Sequence, residues 1–292
     1  MKIAAFSGAY SAVSFREAAT AVSRLGFEGI EIAARGQHLS PASTAGEVRE
    51  VKAIADGNGL AIPVIAGYAG GFSTAGDAAC RQAFEDVQRL LAMTAELGGC
   101  GLRVQPGGPN AFLAGPGHYE QAALWLDQCA KEAQTYGLQV LIELHNETLV
   151  ESAGDAERLL ALLGEDNIGW IHDAGNMYIA DADYGADSVR QLQTRLFHVH
   201  IKDERRVAPT ARAQPGEFTT HTRYGSERFV PCLLGEGEVD HGGLLDGLLE
   251  IGYKGWLTLE CHAPLTAGER LAADLDTVRS LWHNRIERRR IQ

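Results

Sequence analysis

A chain of 292 residues with 45% hydrophobic and 22% charged residues has ample material for a packed core, which excludes an intrinsically disordered polypeptide. Its formal charge of -12 repels phosphate backbones, and the body of the chain holds no basic patch to offset this, so a nucleic-acid partner is not expected. The five cysteines are widely spaced with no CxxC pair, the opening MKIAAFSGAYSAVSF has too short an apolar run for a signal peptide, and no later stretch approaches a membrane span; reduced thiols, no membrane partner and a cytoplasmic location are expected.

In chain order, apolar strand-like runs fall near residues 2–7, 28–33, 61–66, 100–105, 138–143, 167–172, 195–201 and 256–260. Helix-like stretches separate them. Ser14 with Glu17, Thr44 with Glu47 and Thr266 with Glu269 have the S/T-x-x-E spacing of a capping box, which marks helix starts. Cys80, Phe84, Val87 and Leu91 recur at helical spacing, as do Leu271, Leu275, Val278 and Trp282. Glycine precedes the strand in RLGFEGIEI, DGNGLAIPVI, ELGGCGLRV, TYGLQVLIE, LLGEDNIGWIHD and EIGYKGWLTLE, as suits the left-handed residue that ends a helix. The exception is QTRLFHVHIK. A long connection at about 203–234 carries Arg205, Arg206, Arg212, Arg223 and Arg228 against Asp203, Glu204, Glu217 and Glu227, and reads as a mixed-charge surface loop, a lid or a subunit contact. The closing RIERRR suits an exposed helix end.

Eight alternating strand and helix units predict an α/β fold of parallel strands closed into a (β/α)8 TIM barrel, one domain over 1–292. The first turn, FSGAYS, lacks the GxGxxG that would favour an open dinucleotide-binding sheet. In such a barrel the chemistry sits at the carboxyl ends of the strands. Four strands stop on a group that ligates metal: VLIE at Glu143, IGWIHD at Asp173, LFHVH at His200 and WLTLE at Glu260. His198 points the same way as His200 but about 6.6 Å deeper, at roughly 3.3 Å per residue, so His200 is the expected ligand. Three carboxylates and one imidazole suit one divalent cation, Mn²⁺ first, with Mg²⁺, Co²⁺ or Zn²⁺ as alternatives. His145, Lys202 and His262, each two residues beyond such an end, are candidates to hold substrate; Tyr10, Glu31, Tyr68 and Gln105, at or just past the first four strand ends, are weaker ones.

The segments IELHNE, HDAGN, FHVHIKD, LGEGEVD and GYKGWLTLE together resemble the xylose isomerase-like TIM barrel superfamily, the sugar phosphate isomerases and epimerases. That resemblance implies a metal held by Glu143, Asp173, His200 and Glu260, with Glu143 and Glu260 doubling as the acid and base pair. It further implies that Asn146 and Asn176 touch substrate or metal water, that Glu236 belongs to a structural turn, and that the protein is a homo-oligomer, a dimer or tetramer. The third and fourth strand ends, IAGYAGG and VQPGG, lack the extra histidines of the zinc-dependent apurinic endonucleases of this superfamily, so a trinuclear nuclease is not expected.

The expected chemistry is proton transfer beside the carbonyl of a small carbohydrate through a metal-stabilised enediolate, giving isomerisation or epimerisation. The same machinery serves a lyase that dehydrates a keto-inositol or cleaves a 3-keto-glycoside. A non-catalytic sugar-binding or partner subunit that keeps the pocket is the reading from another class.

Overall fold

The computed structural model describes residues 1–291. Its strands are β1 (Lys2–Phe6), β2 (Gly29–Ala33), β3 (Val64–Gly70), β4 (Gly101–Gln105), β5 (Gln139–Glu143), β6 (Ile168–Asp173), β7 (Leu196–Ile201), β8 (Asp203–Val207), β9 (Phe218–Thr222), β10 (Gly225–Cys232) and β11 (Trp256–Leu259). The helices are α1 (Phe15–Arg24), α2 (Ala45–Gly57), α3 (Asp77–Leu97), α4 (Pro116–Gln134), α5 (Ala153–Leu160), α6 (Ala174–Ile179), α7 (Ala186–Leu192), α8 (His241–Glu250) and α9 (Ala267–Ile291). Eight strands close a parallel barrel in the order β1-β11-β7-β6-β5-β4-β3-β2, the (β/α)8 TIM barrel expected from the repeat.

Local signals act where the spacing places them. Ser14 and Glu17, and Thr44 and Glu47, exchange the reciprocal hydrogen bonds of a capping box at the starts of α1 and α2, and Thr266 and Glu269 do the same before α9. Gly98 ends α3 at φ 78°, a conformation that costs an L side chain, and this reverses the chain into β4. Gly164 departs from the pattern. It is not among the positive-φ glycines, and its amide is instead fixed by the Asp127 carboxylate at 3.0 Å.

Two boundaries differ from expectation. The third strand begins at Val64 and runs to Gly70, because Ala61 makes only an isolated bridge to Gly29 and Pro63 has no amide to donate; Tyr68 therefore lies within the strand and not beyond it. The connection at 203–234 is no irregular loop. It folds into a three-stranded antiparallel sheet, β8-β10-β9, because Phe218–Thr222 and Gly225–Cys232 form a hairpin in which Thr222 pairs with Gly225 across two residues. Part of its mixed charge is internally neutralised, in Arg228–Glu217 at 3.1 Å and Arg206–Glu227 at 3.2 Å.

Strand alternation decides what faces the barrel axis. On β5, Val140 and Ile142 belong to the large outer core beneath the helices, while Leu141 packs with Val64 and Ile171 in a separate inner cluster. Glu143, two residues past Leu141, therefore points inward. The same logic turns Asp173 inward beyond Ile171, His200 inward between Val199 and Ile201, and Glu260 inward after Leu259. Apolar side chains fill the lower barrel and ionisable ones its carboxyl end.

Candidate metal centre

Glu143, Asp173, His200 and Glu260 each offer one ligand atom, and these atoms all lie within 4.8 Å of one another, every residue buried. His200 Nδ1 is 3.1 Å from Glu143 Oε1, 3.4 Å from Glu260 Oε2 and 3.8 Å from Asp173 Oδ2. Asp173 uses Oδ1 to accept the Asn176 amide at 2.9 Å, capping α6, and this leaves Oδ2 buried with no hydrogen bond. The Lys202 ammonium lies 3.0 Å from this oxygen outside hydrogen-bond geometry, so it offsets part of the charge and leaves the oxygen's lone pairs open to a further cation. The donor set, three carboxylates and an imidazole, fits one divalent cation coordinated mainly by oxygen.

Charge in the cluster is balanced by residues around it. Lys202 places Nζ 3.0 Å from Asp173 Oδ2 and 3.1 Å from Glu260 Oε2, and Arg103 donates from Nη1 to Glu143 Oε2 at 2.6 Å. Burial opposes ionisation of Glu143, yet Arg103 and His200 outweigh it and hold its pKa low. Asp173 is pushed the other way, up, by burial and by the charges of Glu143 and Glu260, which Lys202 only partly offsets. For His200, burial disfavours the charged ring, but Glu31 and Glu143 draw its pKa well above the ordinary value.

Both oxygens of Glu143 are committed. Oε2 is held by Arg103, and Oε1 accepts from Asn176 Nδ2 at 3.1 Å while facing His200. Glu260, by contrast, meets Lys202 and His200 through Oε2. The two glutamates are thus chemically unequal.

A cavity of about 420 Å³ opens at this end of the barrel. Its wall includes His145, Asn146, Asn176, Lys202 and His262, five of the residues named above as substrate contacts, together with Ile179 and Glu204. The β8-β10-β9 sheet closes one side through Phe218, Thr220 and Pro231. It is latched down by Asn146 Nδ2 donating to Thr220 Oγ1 at 3.0 Å and by Thr220 Oγ1 donating to Glu147 Oε1 at 2.8 Å.

Tyr68 and Gln105 are not in that wall. Tyr68 lies under the guanidinium groups of Arg35 and Arg103, at 4.5 and 4.9 Å from its ring centre, and Gln105 pairs through its backbone with Gly70 at the end of β4. Tyr10 closes the short 3-10 turn after β1. Glu31 is fully buried on the barrel axis. It meets His198 Nε2 at 2.9 Å and His200 Nε2 at 3.1 Å, and Thr258 Oγ1 lies 2.9 Å from the same His198 nitrogen. Glu31, His198 and His200 form a second group of ligand atoms, sharing His200 with the first.

Arg103 and Glu204 are not among the site residues expected from sequence, and His198 is set behind His200 there for its depth; alternation through Arg103 and Gln105 turns Arg103 inward. Glu204 was read as part of a solvated run of charges, and its burial depends on β8 forming. Glu236 stays exposed in its turn, which is fixed by Asp203 accepting the amides of Gly235, Gly237 and Val239 at 2.8, 3.0 and 3.0 Å.

Comparison with known proteins follows the same lines. Residues 19–281 match the family model described as xylose isomerase-like TIM barrel. The rhizopine catabolism protein MocC of Rhizobium meliloti is 30% identical over 144 residues, 47% of this chain and 41% of that protein. An inosose dehydratase of Halalkalibacterium halodurans is 29% identical over 137 residues, 47% of this chain and 44% of its own length. The matched segments thus span less than half the length of these curated relatives. Among solved structures, an L-ribulose 3-epimerase superposes with a TM-score of 0.78 at 20% identity, covering 100% of this chain and 98% of that one.

Proposed function

This chain belongs to the xylose isomerase-like TIM barrel family, and on that premise we propose that it is a divalent-metal-dependent enzyme that removes the proton beside the carbonyl of a small keto-sugar or keto-cyclitol and expels a β-hydroxyl as water. The observation that carries this reading is the convergence of Glu143, Asp173, His200 and Glu260 beneath a polar cavity. A divalent cation, Mn²⁺ first, supplies electrophilic stabilisation of the charge that develops on the carbonyl oxygen.

The chain's own residues do the rest. Glu260, tied only through Oε2, takes the proton from the carbon beside the carbonyl. Arg103 and Asn176 hold Glu143 ionised and oriented. His145 and His262 offer ring nitrogens to substrate hydroxyls from the wall, and Lys202 brings a positive charge to the side where Glu260 acts. The cavity volume, about 420 Å³, falls in the range of small-molecule sites.

The unequal glutamates favour elimination over the epimerisation that sequence put first. Epimerisation needs a second group that returns the proton to the opposite face, and Glu143, the candidate, has both oxygens engaged. The name of the inosose dehydratase relative points the same way.

The test is incubation of metal-loaded protein with a panel of keto-sugars and inososes in heavy water. Deuterium exchange with formation of the dehydrated dicarbonyl product, both lost in Glu260→Gln with metal still bound, is expected. Exchange with epimer formation and no dehydration would make it an epimerase, and metal-dependent binding without exchange would make it a binding subunit.

A further inference from the structure

Glu204 lies on β8, four residues beyond His200, and lines the same cavity as Lys202 and His262. The residue is 3% exposed, and its Oε2 is buried with no hydrogen-bond partner. A buried carboxyl oxygen beside a substrate cavity, left without a donor or acceptor by the protein, calls for a partner from the substrate. We propose that Glu204 is the acid that delivers a proton to the departing hydroxyl of the substrate.

This assignment rests on the elimination reading above and completes its chemistry. Glu260 breaks the C–H bond beside the carbonyl, and the electron pair forms the carbon–carbon double bond. The β C–O bond breaks. Its oxygen takes the Glu204 proton and leaves as water, and the enol that remains tautomerises to the dicarbonyl. Atoms and electrons balance with no further reactant. Hydroxide is a poor leaving group, so a placed acid is worth about 10²–10⁴-fold in rate.

The surroundings suit the role. Burial, against the nearby Lys202 ammonium, raises the Glu204 pKa to about 8, with Asp173, Asp203 and Glu260 adding to the rise. The group is then a neutral carboxylic acid at neutral pH, able to donate.

The test uses Mn²⁺-loaded wild type and Glu204→Gln on the panel members that wild type exchanges. Expected is dehydration slowed by about 10²–10⁴-fold while deuterium exchange beside the carbonyl and the Mn²⁺ dissociation constant stay near wild type. Elimination of fluoride from the corresponding β-fluoro ketone, which leaves without a proton, stays fast in the variant. Retained dehydration in Glu204→Gln, or equal loss of exchange and dehydration with Mn²⁺ still bound, overturns the assignment alone. Absence of exchange by wild type across the panel, or exchange without dehydration, overturns the elimination reading and this assignment with it. If Glu204→Gln does not fold, the infrared carbonyl band of a protonated carboxyl in wild type at pH 7, shifted in Glu204→Asp, decides: its absence overturns the assignment.

Discussion

His200 Nε2 lies 3.1 Å from both carboxylate oxygens of Glu31, while its Nδ1 lies 3.1 Å from Glu143 Oε1. With the Nε2 proton donated to Glu31, Nδ1 faces the ligand cluster, the carboxylate–histidine arrangement by which an outer residue would orient His200 toward a metal. Burial opposes the Glu31 charge, and the two imidazoles of His200 and His198 outweigh it. Glu31→Ala is expected to weaken Mn²⁺ binding about 10–100-fold with little change in circular dichroism. Calorimetric titration measures this, and an unchanged dissociation constant would remove Glu31 from the metal site.

Arg103 and Glu143 form a buried pair, 4% and 3% exposed. Arg103→Met strands the Glu143 charge among low-dielectric surroundings, and the metal-free variant should lose about 3–5 kcal/mol of stability in urea denaturation. Saturating Mn²⁺ should recover more stability for this variant than for wild type, because the cation faces the same carboxylate.

Metal should stabilise the fold by mass action. Mn²⁺ at about 100 times its dissociation constant adds about 2.7 kcal/mol, read as a rise in Tm, and a chelator reverses it. Asp173→Asn removes a ligand and should abolish the rise, with circular dichroism confirming the fold.

The pH dependence of metal-free stability should carry the mark of Glu204. Its folded pKa, about 8, lies above the ordinary 4.5, so the folded state keeps a proton that the unfolded chain has released. The contribution is fully present below pH 4.5 and is lost as pH rises through 8. Lys202, Asp173, Asp203 and Glu260 face this group and set the position of the window. The urea midpoint of wild type should therefore fall from pH 5 to pH 8 more than that of Glu204→Gln; parallel profiles would refute it.

Thr220 ties the β8-β10-β9 sheet to the loop after β5. Thr220→Val should loosen the cavity wall, raising KM for the substrate while kcat holds, as steady-state kinetics would show. A fall in kcat at constant KM would place Thr220 in the chemistry instead.

The barrel was legible because each unit repeats a short-range rule: a capped helix, a glycine reversal, an apolar strand. Those signals act within a few residues, so β1, β5 and the start of α2 lie close to where spacing puts them. Pro63 moved the third strand because loss of one amide is decided by which neighbour it must pair with. The sheet at 203–234 was hidden because its charged side chains neutralise one another only after β8 and β10 pair.

Sequence by itself determined the period of the barrel and the four strand ends that carry Glu143, Asp173, His200 and Glu260, since strand alternation and the polarity of barrel ends are local consequences of backbone geometry. Tertiary structure alone decided which partners those groups have. Arg103 on Glu143, Glu31 on His200, and the burial of Glu204 under an inserted sheet join residues from separate strands, and the charge state of each depends on water excluded by elements remote in the chain.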